Sequence, residues 1–261
     1  LDHFANVSPW VEAAKDKNCK VTKVGFDVNT GKYNLAEFRK KITDKTKIVA
    51  VNYACNAIGT INPVKEIVEI AHKHGALVFV DAVHYAPHRL IDVRELNCDF
   101  LVTSVYKHFG PHISVVFAKK EHLENFEPYK VEPASNDFPN RWETGTPDFS
   151  AISSIPSTIK YIASLSENKG VTRKNLEIAY QNITEYENEL SKYFLNKLFE
   201  LKKVHVLGIK DTDEVENRTP TFGLIVEGKT SHQTAEYLAK HGIFAWSGHF
   251  YALDVVREYD L

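Results

Sequence analysis

Two charged side chains follow apolar segments and could belong to one chemical site. Asp81 ends the run Val78-Phe79-Val80, and Lys107 follows Ser104-Val105-Tyr106. We expect both runs to be strands, with both side chains at the edge where open α/β sheets bind ligands. There an acid can hold a heteroaromatic ring nitrogen protonated, and a lysine can condense with an aldehyde. The pair therefore predicts a pyridoxal 5′-phosphate (PLP) site, with Asp81 on the pyridinium nitrogen and Lys107 forming the internal aldimine.

The hydrophobic pattern supplies elements that could position these residues. Short apolar runs alternate with amphipathic stretches from Cys19 onward, and several runs are apolar on consecutive residues, as strands covered on both faces are. Crossover helices between strands favour a three-layer α/β domain with a mainly parallel sheet. The predicted strands are Lys20–Phe26, Lys47–Tyr53, Ala76–Asp81, Asp99–Val105 and Ile113–Ala118, and the predicted helices are Asn34–Ile42 and Pro63–His74.

The pattern changes after Pro147, which predicts a second unit. Residues 1–160 are expected to form the PLP-binding large domain, and residues 161–261 a smaller α+β domain. The charged segment Lys210–Arg218 is interpreted as a solvated loop. Predicted helices are Ser150–Ser166, Val171–Leu201 and Ser231–His241, and predicted strands are Val204–Ile209, Thr221–Val226 and Ile243–Trp246.

Composition argues against several classes of partner. With 32 basic and 34 acidic residues among 261, the net charge of −2 gives no electrostatic reason to expect nucleic acid or an anionic membrane. No apolar run approaches the ~20 residues that cross a bilayer. Cys19, Cys55 and Cys98 show neither CxxC nor metal-ligand spacing, so no disulfide framework or metal site is expected. We therefore expect a cytoplasmic protein acting on a small molecule.

Five segments, in this order, resemble the cysteine desulfurase-like branch of the class V aminotransferase family. That family has the fold-type-I PLP architecture, and the resemblance covers nearly the whole chain. The segments are Asp2–Trp10, Asn56–Pro63, Val80–His84, Ser104–Pro111 and Arg141–Pro147. Singly, each segment has an ordinary interpretation, because Asp81 could cap a helix and Lys107 could be a surface lysine. The joint order and spacing favour a PLP site.

The resemblance implies roles around the cofactor ring. His3 would stack on the pyridine ring and assist proton transfer. Asn56 would contact the phenolic oxygen of the cofactor. His84 stands where many relatives carry a glutamine that bonds the same oxygen.

Further roles concern the cofactor phosphate and the partner subunit. Ser104 would bind the phosphate through its hydroxyl, as would Tyr106, which stands where the family has a histidine. Thr146 would reach the phosphate of the neighbouring subunit, which implies a homodimer.

One departure from the family concerns its reactive thiol. The segment Trp246–Ala252 corresponds to the family's Arg-x-Gly-His-x-Cys-Ala pattern, so Tyr251 stands where the catalytic cysteine is expected. A phenol with a pKa near ~10 is a poor sulfur acceptor. We therefore expect lyase, transaminase or racemase chemistry on an amino acid rather than ordinary desulfuration. A class V aminotransferase proper and a catalytically impaired binding or structural homologue are the alternatives.

The chain contains no methionine and starts within functional-looking sequence. We expect a fragment. By the resemblance, the phosphate loop would precede Leu1, and the arginine that binds the substrate carboxylate would follow Leu261.

Overall fold

The computed structural model of the protein describes residues 1–143 and 145–261. Its strands are β1 (Phe26–Asp27), β2 (Lys32–Tyr33), β3 (Ile48–Asn52), β4 (Leu77–Asp81), β5 (Phe100–Ser104), β6 (Ser114–Ala118), β7 (Val204–Val206) and β8 (Leu224–Val226). Its α-helices are α1 (Ser8–Asp16), α2 (Leu35–Lys41), α3 (Val64–Lys73), α4 (Val93–Leu96), α5 (Lys120–Asn125), α6 (Phe149–Ser164), α7 (Arg173–Phe199), α8 (Ser231–Lys240) and α9 (Leu253–Glu258). Short 3-10 helices cover Phe4–Asn6, Val105–His108, Asn140–Trp142 and Thr212–Asn217.

A four-stranded sheet in the order β3-β4-β5-β6 forms the centre of the fold. The first three strands are parallel, and β6 returns antiparallel to β5. In β4 both Val78 and Val80 are fully buried, as expected for a strand covered on two faces. The predicted α/β class with a mainly parallel sheet is confirmed.

Helix α3 covers one face of this sheet because its apolar residues recur on one side. It contacts β3 and β4. Gly75, just beyond the helix, adopts a φ of +70°, a conformation that glycine reaches without steric cost. Four of its five buried residues follow the spacing of an amphipathic helix, namely Val64, Ile67, Val68 and Ala71, and the fifth is Ile70.

Two predicted strands are wrong. Of Lys20–Phe26 only Phe26 lies in a strand, and Ile243–Trp246 is irregular and exposed. An extended segment becomes a strand only where a neighbour satisfies its backbone groups. In residues 1–143 and 145–261, neither segment lies beside such a neighbour over its length.

The interpretation of Lys210–Arg218 as a solvated loop is also wrong for part of the segment. Thr212–Asn217 forms a 3-10 helix that buries Val215, and Arg218 is only 1% exposed. Charge density predicts hydration. Here backbone carbonyls replace water around the guanidinium of Arg218.

The predicted domain boundary at residue 160 lies within the continuous helix α6, which packs against α7. The chain therefore passes this point without a linker, and the division into residues 1–160 and 161–261 stays a prediction. None of the helices in the described part of the chain combines the length and apolar character that crossing a bilayer requires.

A tight turn between β3 and α3 docks against the segment that follows Arg218. Within the turn, Cys55 N donates to Thr60 O at 2.8 Å and Gly59 N to Cys55 O at 2.9 Å. Gly59 O in turn accepts from Thr219 N at 2.8 Å. Gly59 has a φ of +80°, and a Cβ there would collide with the carbonyl oxygens of Thr219 and Thr221. The turn can approach this segment closely because residue 59 has no side chain.

A buried carboxylate lies directly before β5, at the amino end of this strand. Asp99 is 2% exposed. Its Oδ1 lies 2.9 Å from His122 Nε2 and 3.0 Å from Lys119 Nζ, and its Oδ2 lies 2.8 Å from both His72 Nε2 and Val78 N. Burial alone raises the pKa of Asp99, but these hydrogen bonds, led by that of His122, outweigh it and lower the pKa to about 2.

We expect Asp99→Asn to lower the free energy of unfolding at neutral pH by about 2.5 kcal/mol, the value of a pKa drop of roughly two units. A carboxylate with a depressed folded pKa stabilises the fold above its unfolded pKa of ~3.9. That stability is lost as the pH falls from there toward about 2. Urea unfolding between neutral and acidic pH measures it, and the variant should lack this part of the acid dependence.

The matched control is Asp44→Asn. Asp44 lies 2.7 Å from His74, but its side chain is 92% exposed, so this pair is screened by water. It should change stability far less. Equal losses for the two variants would contradict the role given to the buried Asp99 cluster.

Gly59→Ala should cost at least about 3 kcal/mol, since it combines a positive φ with collision against two backbone carbonyls. Gly75→Ala is the control, because Gly75 has a φ of +70° but nothing within 4 Å of an added Cβ. It should cost only about 1 kcal/mol, the backbone part alone. Chemical denaturation of both variants makes the comparison, and similar losses would show that the contact with the Thr219–Thr221 segment is loose.

Candidate active site

Asp81 ends β4 at the carboxyl edge of the sheet. Its Oδ1 accepts from Val83 N at 2.9 Å, which fixes the carboxylate at the start of the following turn. Burial raises the pKa of Asp81, while this hydrogen bond and the positive charges of His3 and Lys107 lower it. The structure thus brings the predicted acid, lysine and histidine within range of one another's charge.

Lys107 lies in the 3-10 helix Val105–His108, which directly follows β5. Its side chain is exposed, and Nζ lies 5.9 Å from the centre of the Tyr106 ring. Gly110 ends the motif where a Cβ would meet Thr158 Oγ1 at 2.8 Å. The glycine therefore lets this turn pack closely on α6.

Ser104 precedes this turn, and Tyr106 lies within it. The hydroxyl of Ser104 lies 3.2 Å from that of Ser114, its partner across the β5–β6 ladder. Tyr106 is exposed and stacks on His112, with ring centres 4.7 Å apart. Both side chains lie at the sheet edge that carries Lys107, and their predicted contacts with a phosphate stay predictions.

His3 is held by its own backbone and by Tyr251. Its Nδ1 accepts from Ala5 N at 3.0 Å, and its ring stacks on that of Tyr251, with centres 5.3 Å apart and planes 20° apart. Phe4 N donates to Tyr251 O at 2.8 Å. Burial lowers the pKa of His3, Asp81 raises it, and Lys107 lowers it further. Tyr251 therefore lies beside the predicted site.

Asn56 lies in the turn between β3 and α3 and faces the same C-terminal segment. Its Nδ2 donates to Phe250 O at 2.8 Å. Its Oδ1 is buried, with no hydrogen-bond partner among the described residues. A buried amide oxygen without a partner is costly in a folded protein, so this oxygen could accept a hydrogen bond from a ligand.

His84 follows Asp81 in the next turn and is held between two hydroxyls. Its Nε2 lies 3.2 Å from Thr219 Oγ1 and 3.0 Å from Thr221 Oγ1. Burial, followed by the charges of His88 and Lys107, lowers the pKa of His84 to about 3. The imidazole is therefore neutral at physiological pH and can take part in neutral hydrogen bonds only.

Thr146 is exposed in the loop before α6, and nothing in the single chain tests its predicted reach to a neighbouring subunit. Its neighbour Thr144, part of the same motif, lies outside the described residues. The three cysteines differ in exposure. Cys55 and Cys98 are fully buried, and burial raises the pKa of both thiols, that of Cys98 to about 11. Cys19 is exposed.

Sequence reasoning gave no role to two residues that the structure places around the site. Burial raises the pKa of Asp2 to about 7, with a further contribution from the charge of Asp81. The carboxylate of Asp2 accepts from Asn6 Nδ2 at 2.9 Å. Arg218 is buried behind Asn56 and His84. The acid next to His3 was a usable signal for Asp2, whereas nothing in the local sequence separates Arg218 from a surface arginine.

The sequence of this chain is similar to those of several known proteins. A probable cysteine desulfurase of Halalkalibacterium halodurans is 33% identical, with a match that covers 100% of this chain and 62% of the relative. An aminotransferase-like protein of Gibberella zeae is 31% identical over 98% of this chain and 62% of the relative. The chain thus spans less than two thirds of the length of these relatives.

A solved structure and a family model give the same assignment. The apo structure of a cysteine desulfurase from Thermococcus onnurineus matches with a TM-score of 0.86 at 27% identity, over 100% of this chain and 64% of that one. The predicted fold-type-I architecture is confirmed by this match. The model of the aminotransferase class-V family matches residues 1–260. This chain belongs to the class-V aminotransferase family.

Proposed function

We propose that the protein containing this chain is a PLP-dependent enzyme that acts on the alpha or beta carbon of an amino acid. The observation that carries the proposal is the proximity of Asp81 and Lys107. They follow adjacent parallel strands, and the charge of Lys107 acts on the carboxylate of Asp81. The names of the relatives, cysteine desulfurases and an aminotransferase-like protein, support the same class of chemistry.

The residues present fit this cofactor. Asp81 offers a half-buried carboxylate for a ring nitrogen, and Asn56 offers a buried amide oxygen without a partner. Neutral His84 lies near Lys107, and the ring of His3, which stacks on Tyr251, lies within range of the charges of Asp81 and Lys107. When bound, the cofactor would supply an electron sink for charge that develops at the alpha carbon.

The side chains of this chain would then have separate roles. Lys107 would hold the cofactor through its amine and, after exchange with the substrate amine, move a proton at the alpha carbon. Asp81 would keep the ring nitrogen protonated. His3 would orient the ring and Ser104, with Tyr106, the phosphate. Thr146, which is exposed, would act from the partner subunit of a homodimer.

Tyr251 favours elimination or transamination over persulfide formation. The phenol stacks on His3, and in the described residues the two buried cysteines have raised pKa values, which disfavours the reactive thiolate. A class V aminotransferase proper is therefore the second candidate. Acceptance of the amino group by a 2-oxo acid would separate it from a lyase.

Free cysteines are also the reason for proposing the reducing cytoplasm as the compartment.

Borohydride reduction in the presence of PLP tests the proposed function. We expect the label to map to Lys107, because this amine lies beside Asp81 at the sheet edge. Lys107→Arg should abolish labelling. Lys120→Arg, which changes a lysine with an 82% exposed side chain, is the matched control and should leave it unchanged. Label on any other lysine of the folded protein would refute the assignment.

Incubation with L-cysteine tests the proposed reaction type. We expect mass spectrometry to find no persulfide on Cys19, Cys55 or Cys98, because two of the thiols are buried and the third matches no family position. Sulfide release without a protein persulfide would indicate elimination. A persulfide on any of the three would contradict the role given to Tyr251.

A further inference from the structure

Arg218 is a buried cation held by backbone rather than by an acid. It is 1% exposed, and in residues 1–143 and 145–261 it forms no ion pair with a carboxylate. Its guanidinium donates to the carbonyl oxygens of Ile209, Thr221, Ile58 and Thr219. Burial lowers the pKa of Arg218 only to about 10, so the group is charged at neutral pH.

Burying an uncompensated charge is expensive, and an apolar side chain could fill the same volume at a lower cost. An apolar residue cannot form hydrogen bonds, whereas the planar guanidinium with its five N–H groups bonds several carbonyls in a fixed relative arrangement. The ring of Phe222, 3.9 Å from the Cζ of Arg218, limits the guanidinium to one plane. Arg218 therefore fixes the geometry of the backbone segments around it.

Three of these carbonyls, those of Ile58, Thr219 and Thr221, belong to two segments that both lead to the candidate site. Ile58 lies in the turn that carries Asn56. Thr219 and Thr221 carry the hydroxyls that hold His84 at 3.2 and 3.0 Å. The two segments also pair directly, through a bridge between Thr60 and Arg218. One guanidinium thus ties the turn that bears Asn56 to the residues that hold His84.

We infer that Arg218 is the positioning residue that sets Asn56 and His84 relative to each other, so that both can address the same ring oxygen of the bound cofactor. The inference rests on the proposed function for that oxygen. It assigns Arg218 no contact with substrate or cofactor, and its effect passes entirely through Asn56 and His84.

Arg218→Lys is the first test, because it keeps the charge and loses the fork. In the cofactor-free protein with ¹⁵N-labelled histidine, His84 should stay neutral down to about pH 3 in the wild type. In the variant its pKa should rise by at least about one unit, as the threonines shift and water reaches the ring. The nearby charges of His88 and Lys107 are the same in both proteins, so they cannot produce the change.

Leu96→Ala is the control for stability. Leu96 belongs to the buried cluster around α3 and the central sheet, whereas Cys55 and Ile58, in the turn that carries Asn56, belong to a separate cluster. This variant should unfold at a lower temperature than the wild type without moving the His84 titration. An unchanged His84 titration in Arg218→Lys, or an equal shift in Leu96→Ala, would overturn the inference.

PLP affinity supplies a second readout in the form of a double-mutant cycle. Arg218→Lys should weaken PLP binding about tenfold in the wild-type background and less than about twofold in the Asn56→Ala/His84→Ala background. An undiminished effect in that background would mean that Arg218 acts by another route. If the wild type takes up no PLP at Lys107, the proposed function fails, while the His84 titration still decides whether Arg218 positions that residue.

Should Arg218→Lys fail to fold, the double variant Thr219→Val/Thr221→Val carries the test. It leaves Arg218 in place and removes only the hydroxyls through which the arginine reaches His84. The two methyl groups remove both partners of Nε2 without admitting water, so the ¹⁵N chemical shift of His84 Nε2 should move while the ring stays neutral. An unmoved Nε2 shift would show that these threonines do not hold His84 and would overturn the inference.

Discussion

The parallel pairing of β3, β4 and β5 is the constraint on which the candidate site depends. Asn52 lies opposite Asp81, and Asp81 lies opposite Val102. Because neighbouring parallel strands end at one edge, the side chains that leave these ends meet there, and the turn after Ser104 delivers Lys107 to the same place. A slip of one residue would send Asp81 to the other face of the sheet. The arrangement of charges at the site therefore follows from backbone register.

The sequence could predict the sheet and its edge because both leave local signals. Strands covered on two faces are apolar on consecutive residues, and a charged residue at the end of such a run stands out, as Asp81 and Lys107 do. Arg218 could not be found in this way. Its burial depends on carbonyls up to 160 residues away, such as that of Ile58, and no local pattern encodes them. For the same reason Ile243–Trp246 was predicted as a strand, since its pattern does not show whether a neighbour exists.

The segment that carries Tyr251 is held against the site mainly by its backbone. Tyr251 O accepts from Phe4 N, and Phe250 O accepts from Asn56. Neither bond involves the side chain at position 251. The type of residue at this position can therefore change while the segment keeps its place.

The two ends of β5 carry different groups of polar residues. The strand spans five residues, roughly 17 Å, from the Asp99 cluster at its start to Ser104 and the Lys107 turn at its end. The predicted resistance to acid depends on one end of the strand, and the candidate site lies at the other. The tolerance of this fold to low pH could therefore be altered, by design or by adaptation to a new habitat, without changing the edge that carries the candidate site.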